Sequence, residues 1–111
     1  MSKALTKNQR LLLMEAARRY LRFHKGESLT EAWTGLGSVS TYKPAINAGF
    51  MRTHDGKMDA RISHWWILTE KGAAIVKILI SSFTLGQIED ELTPGRLAKD
   101  YQTIPIWGAT S

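Results

Sequence analysis

A sharp change of pattern between His64 and Gly72 constrains the fold of this 111-residue chain more than any other feature. Up to Leu68 the residues alternate and are mostly aromatic or aliphatic, as in a β-strand, and Thr69-Glu70-Lys71-Gly72 then follows. Threonine is a preferred N-cap of helices, and the helix dipole favours a glutamate in the first turn. We therefore predict that a strand ends at Leu68 and that a helix begins directly after Thr69.

A β-hairpin is predicted before this helix. Residues 50–54 and 61–68 have the composition of strands, and the polar run Asp55-Gly56-Lys57-Met58-Asp59 separates them. Asp-Gly is a strong hairpin signal, because glycine readily adopts the positive φ that tight turns require. Alternation along the second strand predicts that one face carries Ile62, His64, Trp66 and Leu68.

The first predicted helix spans residues 7–24, where no Gly or Pro occurs. Thr6 and Gln9 match a capping box at its start, and the apolar residues fall on one broad arc. The opposite face is basic and carries Arg18, Arg19 and Arg22. We expect this face to be solvated rather than bound to nucleic acid, because Glu15 is positioned to pair with two of these arginines.

Two shorter helices are predicted between the first helix and the hairpin. A capping-box pattern at residues 28–31 predicts a short helix, which the glycine-containing run that follows would end. A third helix is predicted from an N-cap at Ser40 or Thr41 to Gly49. Pro44 is compatible with the first turn of this helix, where a backbone N–H has no partner to lose.

The helix after Thr69 has an apolar arc that covers more than half of its circumference, which predicts burial on more than one side. Either the C-terminal segment or a second subunit is expected to cover it. The residues expected at a homodimer interface, together with the C-terminal segment, are Ile75, Leu79 and Phe83. Residues 84–111 are read as an extension of a domain formed by residues 1–83, with short helices over 84–92 and 93–101 and an apolar end at 104–107.

The net charge of +5 is unevenly distributed along the chain. Residues 1–25 contain seven Lys or Arg and one Glu, whereas residues 78–111 contain two Lys or Arg and four Asp or Glu. A basic N-terminal third suggests a face that could meet phosphates, although a solvated helix face would have the same composition.

The order helix, short helix, helix, strand, charged turn, strand, helix is typical of a winged helix-turn-helix domain. This is an α+β fold, mainly α, with a two-stranded β-wing and here an additional C-terminal helical segment. Ala48-Gly49-Phe50-Met51-Arg52, the charged turn and Trp66-Ile67-Leu68-Thr69-Glu70-Lys71-Gly72 carry a closer likeness. Through them, residues 40–80 resemble the winged-helix regulators of the MarR/PadR kind.

The resemblance implies that the third helix binds the major groove of double-stranded DNA and that the wing reaches the backbone or the minor groove. Carried onto this sequence, it assigns to the helix Ser40, Thr41, Tyr42, Lys43 and Asn47. It assigns to the wing Arg52, His54, Lys57 and Arg61. Asparagine can pair with adenine in the major groove, and cations contact phosphates.

Several other classes of function are not expected. There is no cysteine, and His24, His54 and His64 are scattered, so no metal site is predicted. No catalytic triad, phosphate loop or pair of carboxylates stands out, so neither an enzyme nor a cofactor is expected. The N-terminus lacks the apolar stretch of a signal peptide, and no run approaches the roughly 20 apolar residues of a membrane span. A soluble cytoplasmic protein without membrane contact is the expectation.

Two functions remain open at this stage. The first is a transcriptional regulator, dimeric and bound to palindromic duplex DNA through the third helix and the wing. The second is a winged-helix module that binds protein, such as a phage- or plasmid-encoded inhibitor of a nucleic-acid machine. The third helix has only one positive charge, Lys43, which keeps the second alternative open.

Overall fold

Residues 5–92 are described by the computed structural model, so the predicted elements at 93–101 and 104–107 lie outside the described part. Its helices and strands are α1 (Lys7–Arg19), β1 (Gly35–Ser38), α2 (Val39–Asn47), β2 (Met51–Thr53), β3 (Ser63–Leu68), α3 (Glu70–Ser82) and α4 (Leu85–Leu92). The strands form an antiparallel sheet in the order β1-β3-β2. The described chain is therefore an α+β domain that is mainly helical.

Helix α1 is the centre of the core, and its predicted start is confirmed. Thr6 accepts a hydrogen bond from the backbone N–H of Gln9, whose side chain bonds back to the N–H of Thr6. A π-helical turn, Tyr20–His24, continues the helix and ends two residues before Gly26, which has a φ of 96°. The fully or almost fully buried apolar residues of α1 are Leu12, Leu13, Met14, Ala16 and Ala17.

The predicted short helix at residues 28–33 is wrong. This segment forms only turns, closed by bonds from the N–H groups of Glu31 and Ala32 to the carbonyl of Ser28. The N–H of Thr34 then bonds to the carbonyl of Trp66, and the chain continues as β1 along β3. The sheet thus has three strands, whereas the sequence predicted only the two of the hairpin, and α1 and α2 are separated by a strand.

Strand β1 depends on the glycines that the sequence pattern indicated as a break. The ring of Tyr42 lies against this strand, so that a Cβ on Gly35 would be 2.7 Å from the Tyr42 hydroxyl, and one on Gly37 would be 2.8 Å from a ring carbon. The hydroxyl accepts a hydrogen bond from the N–H of Leu36. Helix α2 begins two or three residues earlier than predicted, because its N-cap is Ser38, which accepts from the N–H of Thr41, and not Ser40 or Thr41.

The predicted hairpin and the junction to α3 are confirmed. Gly56 has a φ of 78° in the turn between β2 and β3, as its place after an aspartate suggested. Thr69 caps α3 by accepting from the N–H of Gly72, and its hydroxyl donates to the carbonyl of Gly49. Gly72 packs closely on the backbone between α2 and β2. A Cβ on Gly72 would be 2.1 Å from the carbonyl oxygen of Phe50.

One face of the sheet packs on the helices. Trp66 has no exposed surface, stacks on the ring of Tyr42 at 5.0 Å between centroids, and donates its indole N–H to the carbonyl of Gly37. Helix α4, which was predicted over residues 84–92, is capped by Thr84 and covers α1 with the buried side chains of Ile88 and Leu92.

The residues predicted for a homodimer interface are used within the chain. Leu79 is a member of the core, and Ile75 and Phe83 pack against the same cluster. The large apolar side chain of α3 that does face solvent is Ile78, which is 64% exposed. Within residues 5–92 no single helix is both long and apolar enough to cross a membrane; α3 and α4 reach that length and composition only when counted together, across a bend of 108°.

Candidate nucleic-acid interface

The arginines of the first helix are occupied by carboxylates. Arg18 is buried, not solvated as predicted, and its guanidinium donates two hydrogen bonds to Glu15, as close as 2.7 Å. Arg19 also pairs with Glu15, at 3.3 Å. Further ion pairs join α1 and the π-helical turn to α4, namely Arg10–Glu91 and Arg22–Glu89. The most basic part of the sequence therefore uses these arginines to hold the domain together.

The ion pair between Arg10 and Glu91 shifts the pKa values of both side chains toward their charged forms. The hydrogen bonds between the two side chains raise the pKa of Arg10 and lower that of Glu91, against the opposing effect of partial burial. Both groups are thus charged near neutral pH, and α4 is held on α1 by a two-bond ion pair as well as by apolar packing.

Helix α2 has an exposed polar face with one positive charge. Ser40, Lys43 and Asn47 are exposed, and their spacing of three and four residues places them along one stripe of the helix. Thr41 is also exposed, with its hydroxyl hydrogen-bonded to that of Ser38. The assignment of Tyr42 to this face is wrong, because its ring is buried between β1 and Trp66. No acidic residue lies in α2.

The cations of the hairpin differ in their surroundings. Arg61 is bound to the carboxylate of Asp59, and this contact lowers the pKa of Asp59 and raises that of Arg61. Within residues 5–92, by contrast, no carboxylate lies within ion-pairing distance of Arg52 or Lys57. The backbone N–H of Lys57 does bond to the side chain of Asp55, which lowers the pKa of that carboxyl.

An exposed aromatic cluster lies on the outer side of the sheet, and the sequence pattern did not indicate it. The indoles of Trp33 and Trp65 are 5.3 Å apart between centroids and tilted by 32°, and His54 meets Trp33 edge-on at 4.8 Å. Trp33 falls in the predicted short helix that does not form. Alternation along β3 places Trp65 on the face of the sheet opposite to that of Trp66, but it does not show which side chains lie beside Trp65. A small cavity beside this cluster is lined by Trp33, His54, Asp55, Ile62, Ser63, His64 and Trp65.

His64 belongs to the structure of the hairpin. It is buried on the inner face of β3, and its Nε2 lies 2.8 Å from the backbone carbonyl of Asp59. In the described part of the chain, no three His, Cys, Asp or Glu side chains come close enough together to hold a metal ion.

Comparison with known proteins gave no match. No family model matches this sequence, and no curated protein or solved structure is significantly similar to it.

Proposed function

We propose that this protein is a winged-helix-like regulator that binds duplex DNA through α2 and the β2–β3 hairpin. Two features support the likeness to MarR/PadR-type regulators: α2 leads directly into the hairpin, and a capped strand-to-helix junction follows at Thr69. Residues 28–33 form turns, whereas winged-helix regulators have a helix at this point, so we propose that α2 alone, together with the β2–β3 hairpin, contacts the DNA.

The distribution of paired and unpaired cations carries this proposal. The arginines of α1 are bound to glutamates, whereas Lys43, Arg52 and Lys57 are exposed and, among the described residues, have no carboxylate within ion-pairing distance. Exposed, unpaired cations bind phosphates without first breaking an ion pair. These charges lie on the helix and the hairpin that would meet DNA, while the paired arginines lie on the helix that builds the core.

The side chains assigned to the interface have separate tasks. Lys43, Arg52 and Lys57 contact phosphates and provide affinity that does not depend on sequence. Asn47 and Ser40, on the same stripe of α2 as Lys43, are the groups that read base edges. Tyr42 has no direct part, because its ring supports β1.

The proposal is tested by removing the three cations together. The triple variant Lys43→Gln, Arg52→Gln, Lys57→Gln is compared with wild type in fluorescence-anisotropy titrations of a labelled duplex at several salt concentrations. We expect weaker binding and a salt slope smaller by about 2.7, since each phosphate contact contributes about 0.9. The matched control is Lys77→Gln, which removes an exposed lysine of α3 and should leave the slope unchanged. Equal slopes for the triple variant and wild type would refute the assignment.

A protein-interaction module is the second candidate. It is favoured by Phe23 and Ile78, which are 62% and 64% exposed and are the most exposed large apolar side chains of the described chain. Affinity capture from nuclease-treated lysate separates the two functions. A stoichiometric partner that survives nuclease and is lost in the Phe23→Ser or Ile78→Ser variant would favour this candidate over DNA binding.

A further inference from the structure

The outer face of the sheet differs in character from the helix-packed inner face. Leu36 of β1 is paired with Trp65 of β3 in the sheet register. On the other side, the N–H of His54 bonds to the carbonyl of Trp65, which places the three side chains in one row across the strands. Trp33 lies against this row, and Arg52 occupies the next row, opposite Ile67. We call Trp33, Leu36, Arg52, His54 and Trp65 the aromatic sheet face.

Exposed apolar surface is concentrated here. Among residues 5–92, seven large hydrophobic side chains are exposed: Trp33, Leu36 and Trp65 belong to this face, and a fourth, Ile62, lines the cavity beside it. A fifth, Met58, lies in the loop of the same hairpin. Apolar clusters of this kind on a soluble surface commonly mark binding sites, and two indoles left 40% and 39% exposed are the largest part of this one.

We propose that the aromatic sheet face binds single-stranded nucleic acid, with unpaired bases stacked on Trp65 and Trp33 and the backbone phosphates held by Arg52. This site is additional to the duplex contacts proposed for α2 and the β2–β3 hairpin, and the residue common to both is Arg52. Indole faces accept any base by stacking, so the site would have little sequence preference.

The charges of the sheet favour this ligand over an apolar segment of protein. None of the three strands contains an aspartate or glutamate, and Arg52 is exposed on the same face as the indoles. Arg52 gives a phosphate a cation to bind on this face, whereas a neutral apolar partner gains nothing from it. An acidic side chain, that of Asp55, lines the cavity beside the indoles and lies beyond the end of β2. The tilt of 32° between Trp33 and Trp65 means that the rings do not cover each other fully, which leaves indole surface open for bases.

Fluorescence anisotropy with labelled dT12 and rU12 oligonucleotides at low salt tests this proposal. Trp65→Leu and Trp33→Leu keep an apolar cover on the sheet but remove the stacking surface. Each is expected to weaken oligonucleotide binding by about 5- to 150-fold, the range found for loss of one base–aromatic stack. The control Ile78→Ala removes an exposed apolar side chain from α3 and should bind both oligonucleotides as wild type does.

A second measurement uses the unmodified protein and so does not depend on the folding of the variants. Ultraviolet crosslinking to a dT12 oligonucleotide that carries 5-iodouracil is mapped by mass spectrometry, and we expect crosslinks on the peptides that contain Trp33 and Trp65. Crosslinks confined to other peptides, or variants that fold and bind as wild type does, would overturn the proposal. A third result would also overturn it: wild-type protein that binds neither oligonucleotide and self-associates, with the self-association lost in the Trp65→Leu variant.

The two binding proposals fail in different ways. Lys43→Gln alone is expected to weaken duplex binding and to leave binding of dT12 within about twofold, since Lys43 lies on α2 and not on the sheet. If this single variant loses both duplex and dT12 binding, a separate single-strand site is refuted. If its duplex binding is unchanged, the role proposed for α2 in duplex binding is refuted, and the proposal for the sheet is unaffected.

Discussion

Replacement of Gly72 by alanine is expected to destabilise the protein strongly, although alanine is the better helix former. Gly72 lies in the first turn of α3, directly above the peptide group of Phe50. An added Cβ would be 2.1 Å from the Phe50 carbonyl oxygen, 2.9 Å from its carbonyl carbon and 3.1 Å from a methyl group of Leu68. That carbonyl also accepts the N–H of Thr69 at 2.9 Å, so it cannot move without loss of a hydrogen bond.

Two opposing terms determine the size of the effect. Alanine in place of glycine favours a helix by up to about 1 kcal/mol. Overpacking against a well-packed interior costs about 1–3 kcal/mol and occasionally more, and here the first atom in contact is a backbone oxygen rather than a flexible side chain. We expect a net loss of about 2 kcal/mol in the free energy of unfolding, or roughly 10 °C in Tm for a domain of this size.

Gly86→Ala is the matched control. Gly86 is also in the first turn of a helix, α4, but a Cβ there would meet only the hydroxyl of Thr84, at 3.9 Å. This variant should be as stable as wild type or more stable by a few tenths of a kcal/mol. Urea unfolding followed by far-ultraviolet circular dichroism, with equal m-values, gives both differences. If Gly72→Ala is at least as stable as wild type, the close approach of α3 to Phe50 is not as described.

Two further predictions concern single contacts. Tyr42→Phe removes the hydroxyl that accepts from the N–H of Leu36, so the free energy of unfolding measured in urea should fall by about 1 kcal/mol. Duplex binding should stay unchanged, and its loss in a folded variant would contradict the supporting role of Tyr42. The pKa of Glu91 is lowered in the folded state by Arg10, so this pair stabilises the protein above the unfolded pKa of glutamate and its contribution is lost as the pH falls through the lower, folded value. Because both side chains are about a third exposed, Glu91→Gln should cost only about 0.5 kcal/mol at pH 7. The difference from wild type should shrink as the pH falls and at high salt, and a difference that stays the same size in acid would exclude this cause.

Local signals in the sequence were sufficient for the starts of three helices and for the hairpin turn. Thr6, Thr69 and Thr84 each accept a bond from a backbone N–H three residues on, and Gly56 has the positive φ of its turn. All of these interactions join residues within four positions of each other, so the chain needs no tertiary contact to favour them.

The tertiary structure decided which segment completes the sheet. Residues 28–31 have the pattern of a capping box but form turns, because Thr34 bonds to Trp66 and commits the chain to the sheet edge. Gly35-Leu36-Gly37 has low intrinsic strand propensity. It forms β1 because β3 supplies the hydrogen-bond partners and Tyr42 fills the space above the glycines.

Tertiary structure also decided which polar and aromatic groups are free to bind. Composition and periodicity predicted a basic face on the first helix, but Arg10 of α1 and Arg22 of the π-helical turn meet glutamates that lie 81 and 67 residues further along the chain. The contact between Trp33 and Trp65 likewise joins a turn to a strand that the sequence did not place together. Residue types and helix periods are local properties, whereas the availability of a cation or an indole depends on what the fold brings next to it.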